Sequence, residues 1–195
     1  HITDWAAYKN QLRQLLGQET KLTQKLYDTA RNHPQRVVFA EAVHPTMLKA
    51  AVQAKAEGIC HPILLGNDET IEKLAKSLDL NLDGIEIVNL RHPREQERRE
   101  RYAHILTQKR QRDGYTFQEA NDKMFERNYF GMMMVETGDA DAFITGLYTK
   151  YSNTIKVANE VIGIKPEYKH FATMHIINSA KGTLFVGDTL INQDP

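Results

Sequence analysis

The sequence is poor in cysteine, since its 195 residues include only Cys60. A single cysteine excludes a disulfide within the chain, and we expect Cys60 to be a small buried residue at the entry to a strand. An excess of one charge is also missing, because 25 Lys and Arg residues balance 25 Asp and Glu residues. A balanced chain lacks the general attraction to polyanions that a basic protein has. We therefore expect neither nucleic acid nor membrane as a partner.

Long apolar runs are absent as well. No stretch approaches the ~20 apolar residues that a bilayer span needs, and no signal peptide opens the chain. With one cysteine, this pattern predicts a cytoplasmic location. The composition, 41% hydrophobic and 26% charged, is enough to bury a core. Because the chain begins at His1 and ends at Pro195 with no closing element after a strand, we interpret it as a segment of a longer protein.

Several motifs of catalysis and metal binding are not found. There is no G-x-G-x-x-G, no phosphate-binding P-loop and no G-x-S-x-G, and the eight His residues have no zinc spacing. Asp139 and Asp141 could bind a divalent cation as a pair, but no third carboxylate lies near them. We favour a role in a turn and strand entry for both, and core packing for the run Met132-Met133-Met134. No metal site is expected in this segment.

Alternating strands and helices begin at Arg36. Four short apolar runs are typical of buried strands: Val37–Ala40, Ile63–Leu65, Ile85–Val88 and Phe143–Thr145. Amphipathic helices separate them, and this alternation predicts an α/β fold, a three-layer α/β/α arrangement around a mostly parallel sheet. Two later runs around a tight turn, residues 171–177 and 183–188, predict a hairpin that starts a second α/β lobe.

The same pattern suggests three regions. Residues 1–33 are predicted to be a helical pair that links or extends the chain, and residues 34–149 the main α/β domain. Residues 150–195 would be the beginning of a second, truncated α/β domain. Within the main domain, residues 91–112 form a charged helix. The alternating signs of Arg94 to Arg101 favour a solvated face with i, i+4 pairs over a nucleic-acid patch.

The stretch from Asn128 to Gly163 is the best candidate for binding. It predicts a helix, an acidic turn, a short strand, a polar loop and another helix. Thr149, Ser152, Asn153 and Thr154 crowd the last connection, and such side chains favour helix N-caps. A helix N-terminus beside the carboxyl end of a strand attracts anions, and open α/β sheets bind ligands at that edge. We therefore expect a small anionic molecule there.

A family resemblance is carried by several motifs taken in their order. They are R-V-V-F-A-E-A, H-P-I-L-L-G-N, R-Q-R-D-G-Y-T, Y-F-G-M-M-M, G-D-A-D-A-F-I-T-G, S-N-T-I-K and L-F-V-G-D-T-L-I-N-Q-D-P. From about Arg36 to the C-terminus, the chain resembles the phosphate acetyltransferase/butyryltransferase family. Its opening I-T-D-W and its ending look most like one subgroup of that family. This subgroup is the phosphotransacetylase-like C-terminal region of bacterial NADP-dependent malic enzymes.

The resemblance implies a two-domain α/β protein with an acyl-CoA and phosphate cleft between its domains, assembled through dimer contacts. Active members have an arginine before a helix break, which Arg110 matches. They have a second arginine after the S-x-T motif, where this chain has Lys156, which keeps the charge but lacks the planar fork. The family's P-E-G-x-D-P-R start is A-E-A-V-H-P-T here. The Ser-Arg and Asp that active members use lie beyond Pro195.

The resulting prediction is a binding site with no catalytic residue. Arg110 is expected to face Thr145 and the polar residues of the last connection. The predicted acyl-CoA and phosphate ligands are Arg110, Thr145, Gly146, Thr149, Ser152, Asn153, Thr154 and Lys156.

The resemblance implies three candidate functions. In the first, the segment regulates and oligomerises a malic enzyme by binding acetyl-CoA or a related acyl metabolite, with a homo-oligomer and an upstream malic enzyme domain as partners. The parent protein would convert malate to pyruvate with NADP and a divalent Mg or Mn ion, both bound outside this segment. In the second, the chain is a working phosphate acyltransferase that moves acetyl or butyryl between CoA and phosphate. In the third, it is only a dimerisation module.

Overall fold

The computed structural model describes residue 8, residues 21–179 and residues 182–187. The chain divides into two compact units, one formed by residues 33–163 and the other by the residues before and after them. The first predicted N-terminal helix lies, apart from Tyr8, outside the described residues. The domain boundaries of the sequence analysis stay a prediction. No described helix is both long and apolar enough to cross a bilayer.

The larger unit is built on a four-stranded parallel sheet. Its strands are β1 (Gln35–Phe39), β2 (Cys60–Leu65), β3 (Glu86–Val88) and β4 (Ala142–Ile144). Their spatial order is β3-β2-β1-β4. β1 therefore lies between β2 and β4, and its Val38 is in register with Ile63 on one side and Phe143 on the other. The chain moves outward from β1 to β3 and then returns to the other side, so the winding direction changes between β1 and β4.

Seven helices are described. They are α1 (Lys21–Asn32), α2 (Pro45–Ala56), α3 (Asp68–Ser77), α4 (Gln96–Arg110), α5 (Phe117–Lys123), α6 (Arg127–Glu136) and α7 (Tyr151–Val161). Short 3-10 turns, Pro93–Glu95 and Gln111–Asp113, flank α4.

The sheet buries a separate core on each face, because successive side chains of a strand point to opposite sides. Val38 and Leu65 belong to a core with α4, α5, α6 and α7. Phe39 and Leu64 belong to the core on the other face, with α2 and α3. The predicted three-layer arrangement is confirmed. The methionines of α6 lie in the first core and Cys60 in the second, as expected.

Side chains at the carboxyl edge of the sheet start several helices. His44 caps α2, its Nδ1 accepting from the Thr46 amide at 3.2 Å. Asn67 caps α3 in the same way, its Oδ1 accepting from the Thr70 amide at 3.0 Å. Since His44 lies five residues after β1 and Asn67 two residues after β2, the N-termini of α2 and α3 gather at one edge of the sheet.

The opposite edge holds the two acidic residues that precede β4. Arg36 grips the Asp141 carboxylate with its side chain, at 2.8 Å from Nη2 to Oδ1, and with its main-chain amide. These hydrogen bonds hold the pKa of Asp141 at about 2. The Asp139 carboxylate accepts hydrogen bonds from Arg101 and Tyr102. The predicted role of both acids at the entry to the strand is confirmed.

The charged helix α4 departs from the prediction of a fully solvated face. Arg99 and Glu95 beside its start are both only 7% exposed. Arg94 and Arg98 reach other elements, at 3.0 Å to Asp68 and 3.8 Å to Glu86. Some of the alternating charges therefore form ion pairs with other elements, since Arg94 reaches α3 and Arg98 reaches β3.

The smaller unit contains α1 and a hairpin of β5 (Met174–Ser179) and β6 (Gly182–Gly187). The two strands are antiparallel, with Ile176 opposite Phe185. Asn178 donates from Nδ2 to the Thr23 hydroxyl of α1 at 2.8 Å. The predicted hairpin is confirmed.

Candidate ligand-binding site

A cavity of about 740 Å³ opens at the carboxyl edge of the parallel sheet. Its walls come from the segments after β1, β2 and β3, from the start of α6 and from α7. The lining includes residues 89–93 and 125–128, together with Val43, Gly66, Asn67, Thr149, Asn153 and Val157. Its size and position suit a small-molecule ligand of an α/β protein.

A buried carboxylate holds the loop between β4 and α7. Glu41, which follows β1, is 1% exposed. Its Oε2 accepts from the amides of Gly146 and Leu147 at 3.1 and 2.9 Å, and its Oε1 from the amide of Tyr148 at 2.9 Å. Three successive amides thus converge on one acid at the point where the winding of the sheet reverses. This contact fixes the wall of the cavity that carries Thr149.

The electrostatics of Glu41 favour its ionised form. Burial acts to raise the pKa of the carboxyl, but the hydrogen bonds from the three amides, with the charge of Arg127, lower it below 4.5 overall. A buried acid in this setting stays charged at neutral pH because each amide binds the anion better than the neutral acid.

The loop after β4 also packs against its neighbours through a ring. The Tyr148 ring meets the His44 ring edge-on at 5.5 Å between centroids. The Arg127 guanidinium lies 6.0 Å from the centre of the Tyr148 ring. In the same loop, the Thr145 hydroxyl donates to Oδ1 of Asn128 at 3.2 Å. The start of α6 and the loop thus form one continuous wall.

The opposite wall is supported by a buried arginine that the sequence analysis did not single out. Arg99 donates from Nη1 to the carbonyls of Leu90 and His92, at 2.6 and 3.1 Å. Its guanidinium also lies 4.6 Å from the centre of the Phe125 ring. Because one side chain holds both the segment after β3 and the ring before α6, it sets the width of the cavity there.

A polar cluster anchors α7 further along the helix. Glu160 accepts hydrogen bonds from the hydroxyls of Tyr115 and Tyr129 and lies 3.9 Å from the Lys123 ammonium. Burial acts to raise the pKa of Glu160, but the two hydroxyls and nearby lysines lower it overall. Burial, together with Glu160, raises the pKa of Tyr115 to about 12. Lys156 joins this cluster at its rim, 3.8 Å from Glu160.

Two basic side chains bind the carboxyl end of α7. Arg110 donates to the carbonyls of Asn159 and Glu160, the latter at 2.7 Å, and Lys109 donates to the Ile162 carbonyl at 2.9 Å. Cations stabilise this end of a helix, where carbonyls have no partner within the helix.

The structure brings only part of the predicted site together. Thr149 and Asn153 line the cavity, and Gly146 is held by Glu41 beside it. Arg110, however, does not face Thr145 or residues 152–154, as was expected. It binds the far end of α7, about 10 Å along the helix at 1.5 Å per residue.

The start of α7 also corrects the sequence analysis. Its N-cap is Lys150, which makes no side-chain capping bond, and the helix begins at Tyr151. Ser152, Asn153 and Thr154 are therefore inside the first turns, so none of them is the N-cap that was expected. That the predicted residues contact a ligand stays a prediction.

Besides Arg99, the sequence analysis missed three further charged residues of the site. Arg91 and Arg127 line the cavity, and Glu41 holds its wall. Glu41 had a usable signal, because a carboxylate directly after a buried apolar strand must find a partner. Arg127 carried a weaker signal as a cation at the N-terminus of a helix, where a positive charge is unfavourable without an anion.

Taken together, the three layers and the parallel sheet define an α/β protein with a cavity at the edge of the sheet where such proteins bind their ligands. The chain belongs to the phosphate acetyl/butaryl transferase family, whose model matches residues 21–195. The resemblance that its motifs indicated is thereby confirmed.

Individual relatives fall into two groups. An NADP-dependent malic enzyme of Rhizobium meliloti is 30% identical over 100% of this chain and 25% of that protein. A phosphate acetyltransferase of Synechocystis is 31% identical over 87% of this chain and 24% of that protein. The solved phosphotransacetylase of Streptococcus pyogenes has a TM-score of 0.74 at 25% identity, over 88% of this chain and 53% of that chain. The chain thus spans about a quarter of the length of both curated relatives.

Proposed function

We propose that this chain is the phosphotransacetylase-like part of an NADP-dependent malic enzyme, in which it binds an acyl-CoA and regulates malate oxidation. The observation that carries the proposal is the extent of the similarity. The match to the malic enzyme runs over 100% of the chain, whereas the match to the acetyltransferase covers 87%. The additional part is the segment that a malic enzyme would need to join its upstream domain to this one.

The cavity supports acetyl-CoA or a related acyl metabolite as the ligand. It lies at the edge where α/β sheets bind their ligands, and about 740 Å³ is ample for a large part of a CoA molecule. Regulation requires that the ligand bind two states of the protein with different affinity. NADP and the divalent Mg or Mn ion of the parent enzyme would be bound outside this chain.

A role in oligomerisation is supported by the hairpin of the smaller unit. Several large apolar side chains of β5 and β6 are exposed, among them Met174 at 63% and Phe185 at 62%. Exposed apolar residues on neighbouring strands favour a protein contact. A homo-oligomer would cover them and link the regulatory parts of several subunits.

The proposal predicts that blocking the cavity weakens the effector response. Asn153→Leu places an apolar side chain on the wall of the cavity, and we expect acetyl-CoA to bind the full-length protein at least about tenfold more weakly, because leucine cannot bond a polar ligand. Titration calorimetry and malate oxidation with and without acetyl-CoA measure this change. The matched control is Asn159→Leu, on the exposed far end of the same helix. An unchanged acetyl-CoA response in Asn153→Leu, or no binding to the wild-type protein, would contradict the proposal.

The second candidate is a working phosphate acyltransferase, which the family match and the acetyltransferase relative favour. In that case the full-length protein would convert acetyl-CoA or butyryl-CoA and inorganic phosphate to acyl phosphate and free CoA. Release of the CoA thiol, measured with a thiol reagent, tests this directly. Turnover that depends on phosphate would establish the enzyme. Binding of acetyl-CoA without thiol release at high protein concentration would leave the regulatory role.

A further inference from the structure

We propose that Arg91 and Arg127 form a two-arginine site that binds the phosphate groups of the ligand in the cavity. The inference deepens the proposed function and rests on it for the identity of the ligand, a phosphorylated nucleotide of the CoA type. Neither arginine belongs to the residues predicted from the sequence. Three properties of the cavity define the site. Among the described residues its two arginines have no side-chain hydrogen bond and no carboxylate within 4.0 Å, aromatic rings lie beside them, and the lining carries side-chain amides whose NH2 groups make no recorded hydrogen bond.

Among the described arginines of the larger unit, Arg112 also has no hydrogen bond or ion pair of its side chain, but it does not line the cavity. The two arginines of the cavity differ from the remaining six. Arg36, Arg94, Arg98, Arg99, Arg101 and Arg110 all bind a carboxylate or a carbonyl. Among the described residues, the side chains of Arg91 and Arg127 have no hydrogen bond and no carboxylate within 4.0 Å. Both line the cavity, one after β3 and the other as the first residue of α6. Their guanidinium groups are therefore available to a ligand.

Each of these guanidinium groups lies beside an aromatic ring. Arg91 lies 6.0 Å from the centre of the Phe125 ring, and Arg127 lies 6.0 Å from the centre of the Tyr148 ring. A ring supports the planar group while leaving its N–H donors directed outward, which suits phosphate oxygens in two bonds. The Arg99 guanidinium packs on the Phe125 ring, and the Tyr148 amide donates to Glu41. Both supporting residues are therefore held in place.

Side-chain amides add neutral donors to the same cavity. Three asparagines use their side-chain oxygens within the protein: Asn67 accepts from Thr70, Asn89 from the Arg91 amide and Asn128 from Thr145. Their NH2 groups are left to donate, because an amide oxygen that accepts fixes which end is the donor. A lining rich in donors selects a ligand rich in acceptors, and the oxygens of phosphate groups are mainly acceptors at neutral pH.

The charge balance of the lining agrees with an anion. The lining contains one negative charge, that of Glu126, and two positive charges, those of Arg91 and Arg127. Glu41 lies behind the wall and is already bound by three amides. A single inorganic phosphate would leave most of the roughly 740 Å³ unfilled. A nucleotide with several phosphates, such as CoA, matches both the volume and the donors.

The test measures binding to the full-length protein by calorimetry with CoA, inorganic pyrophosphate and pantetheine, which lacks phosphate. We expect Arg127→Ala and Arg91→Ala each to weaken CoA and pyrophosphate binding about tenfold or more, since a hydrogen bond to a charged group contributes about 1.5–3 kcal/mol. The control Arg112→Ala also removes one positive charge but does not line the cavity, so it should change the affinity less than about twofold. Pantetheine should bind far more weakly than CoA.

Several outcomes would overturn the two-arginine site. They are CoA binding that is unchanged in the Arg91→Ala/Arg127→Ala double variant, and pantetheine binding as tight as CoA binding. Should an alanine variant unfold, Arg91→Lys and Arg127→Lys keep the charge but lose the planar fork of the guanidinium, and they are expected to bind CoA several-fold more weakly than wild type.

The experiments distinguish a failure of the two-arginine site from a failure of the proposed function. Pyrophosphate binding that needs both arginines, without any acetyl-CoA effect on malate oxidation, would sustain the site alone. An acetyl-CoA response that survives in the double variant would sustain the function alone.

Discussion

Glu41→Gln is expected to lower the free energy of unfolding at pH 7 by about 2–4 kcal/mol, because hydrogen bonds to a charged group contribute about 1.5–3 kcal/mol each and are not additive. The carboxylate accepts from three successive amides of the loop after β4. Glutamine keeps one oxygen acceptor but turns an NH2 group towards amide donors. At least one amide would then lose its partner inside the protein.

The pH dependence of this loss follows from the lowered pKa of Glu41. The folded-state pKa lies below the unfolded value, so the stabilisation is present above the unfolded pKa and is lost as the pH falls through the folded pKa. The difference between wild type and Glu41→Gln should therefore be constant from about pH 6 to pH 8 and become smaller below about pH 4.

Urea denaturation of the wild type and the variant at pH 7 and at acid pH tests both statements. Glu97→Gln is the matched control, because Glu97 is exposed on α4 and its side chain makes no hydrogen bond or ion pair with the residues that the structure describes. We expect the control to change the free energy of unfolding by less than about 0.5 kcal/mol at every pH. If Glu41→Gln behaves like Glu97→Gln, the loop does not depend on this carboxylate.

The architecture of the larger unit was predictable from local patterns. Runs such as Val37–Ala40 and Ile63–Leu65 are apolar throughout because both faces of a central parallel strand are covered, and this property is visible in the sequence. The hairpin was predictable for a similar reason, since a short polar turn between two apolar runs brings neighbouring strands together. Local patterns in the sequence do not reveal the spatial order of the strands, because that order depends on packing between distant segments.

The site was less predictable than the fold. The family resemblance led to the expectation that Arg110 faces Thr145 and the start of α7, whereas the structure places it at the carboxyl end of that helix. The Asn159 and Glu160 carbonyls there are acceptors in every sequence, so nothing in the side-chain pattern marks them. Glu41 and Arg99 also act through main-chain groups, Glu41 in a loop 106 residues away at Leu147 and Arg99 in the segment just before its own helix. Contacts to main chain leave little trace in the types of the contacted residues.

Gly131→Val is expected to lower the free energy of unfolding by about 3 kcal/mol, at the upper end of the usual cost of overpacking a core. Gly131 is buried in α6, where the helix passes directly over β4. A Cβ atom at this position would lie 2.7 Å from Cδ2 of Phe143 and 3.1 Å from Cδ1 of Leu65. Valine gains only a few tenths of a kcal/mol over glycine in helix propensity, so this gain cannot offset the clash.

A double-mutant cycle with Phe143→Leu tests whether close packing is the cause. Leucine lacks Cε2, the Phe143 ring atom nearest to the added Cβ. Gly131→Val should therefore cost at least about 1 kcal/mol less in the Phe143→Leu background than in the wild type. The free energies of the four proteins can be measured by chemical denaturation. Equal costs in both backgrounds would assign the loss to the backbone of α6 instead.

Because β4 leads into the loop held by Glu41, a separation of α6 from β4 would also displace the wall of the cavity. Gly131→Val should then weaken acetyl-CoA binding, and Phe143→Leu should restore part of it.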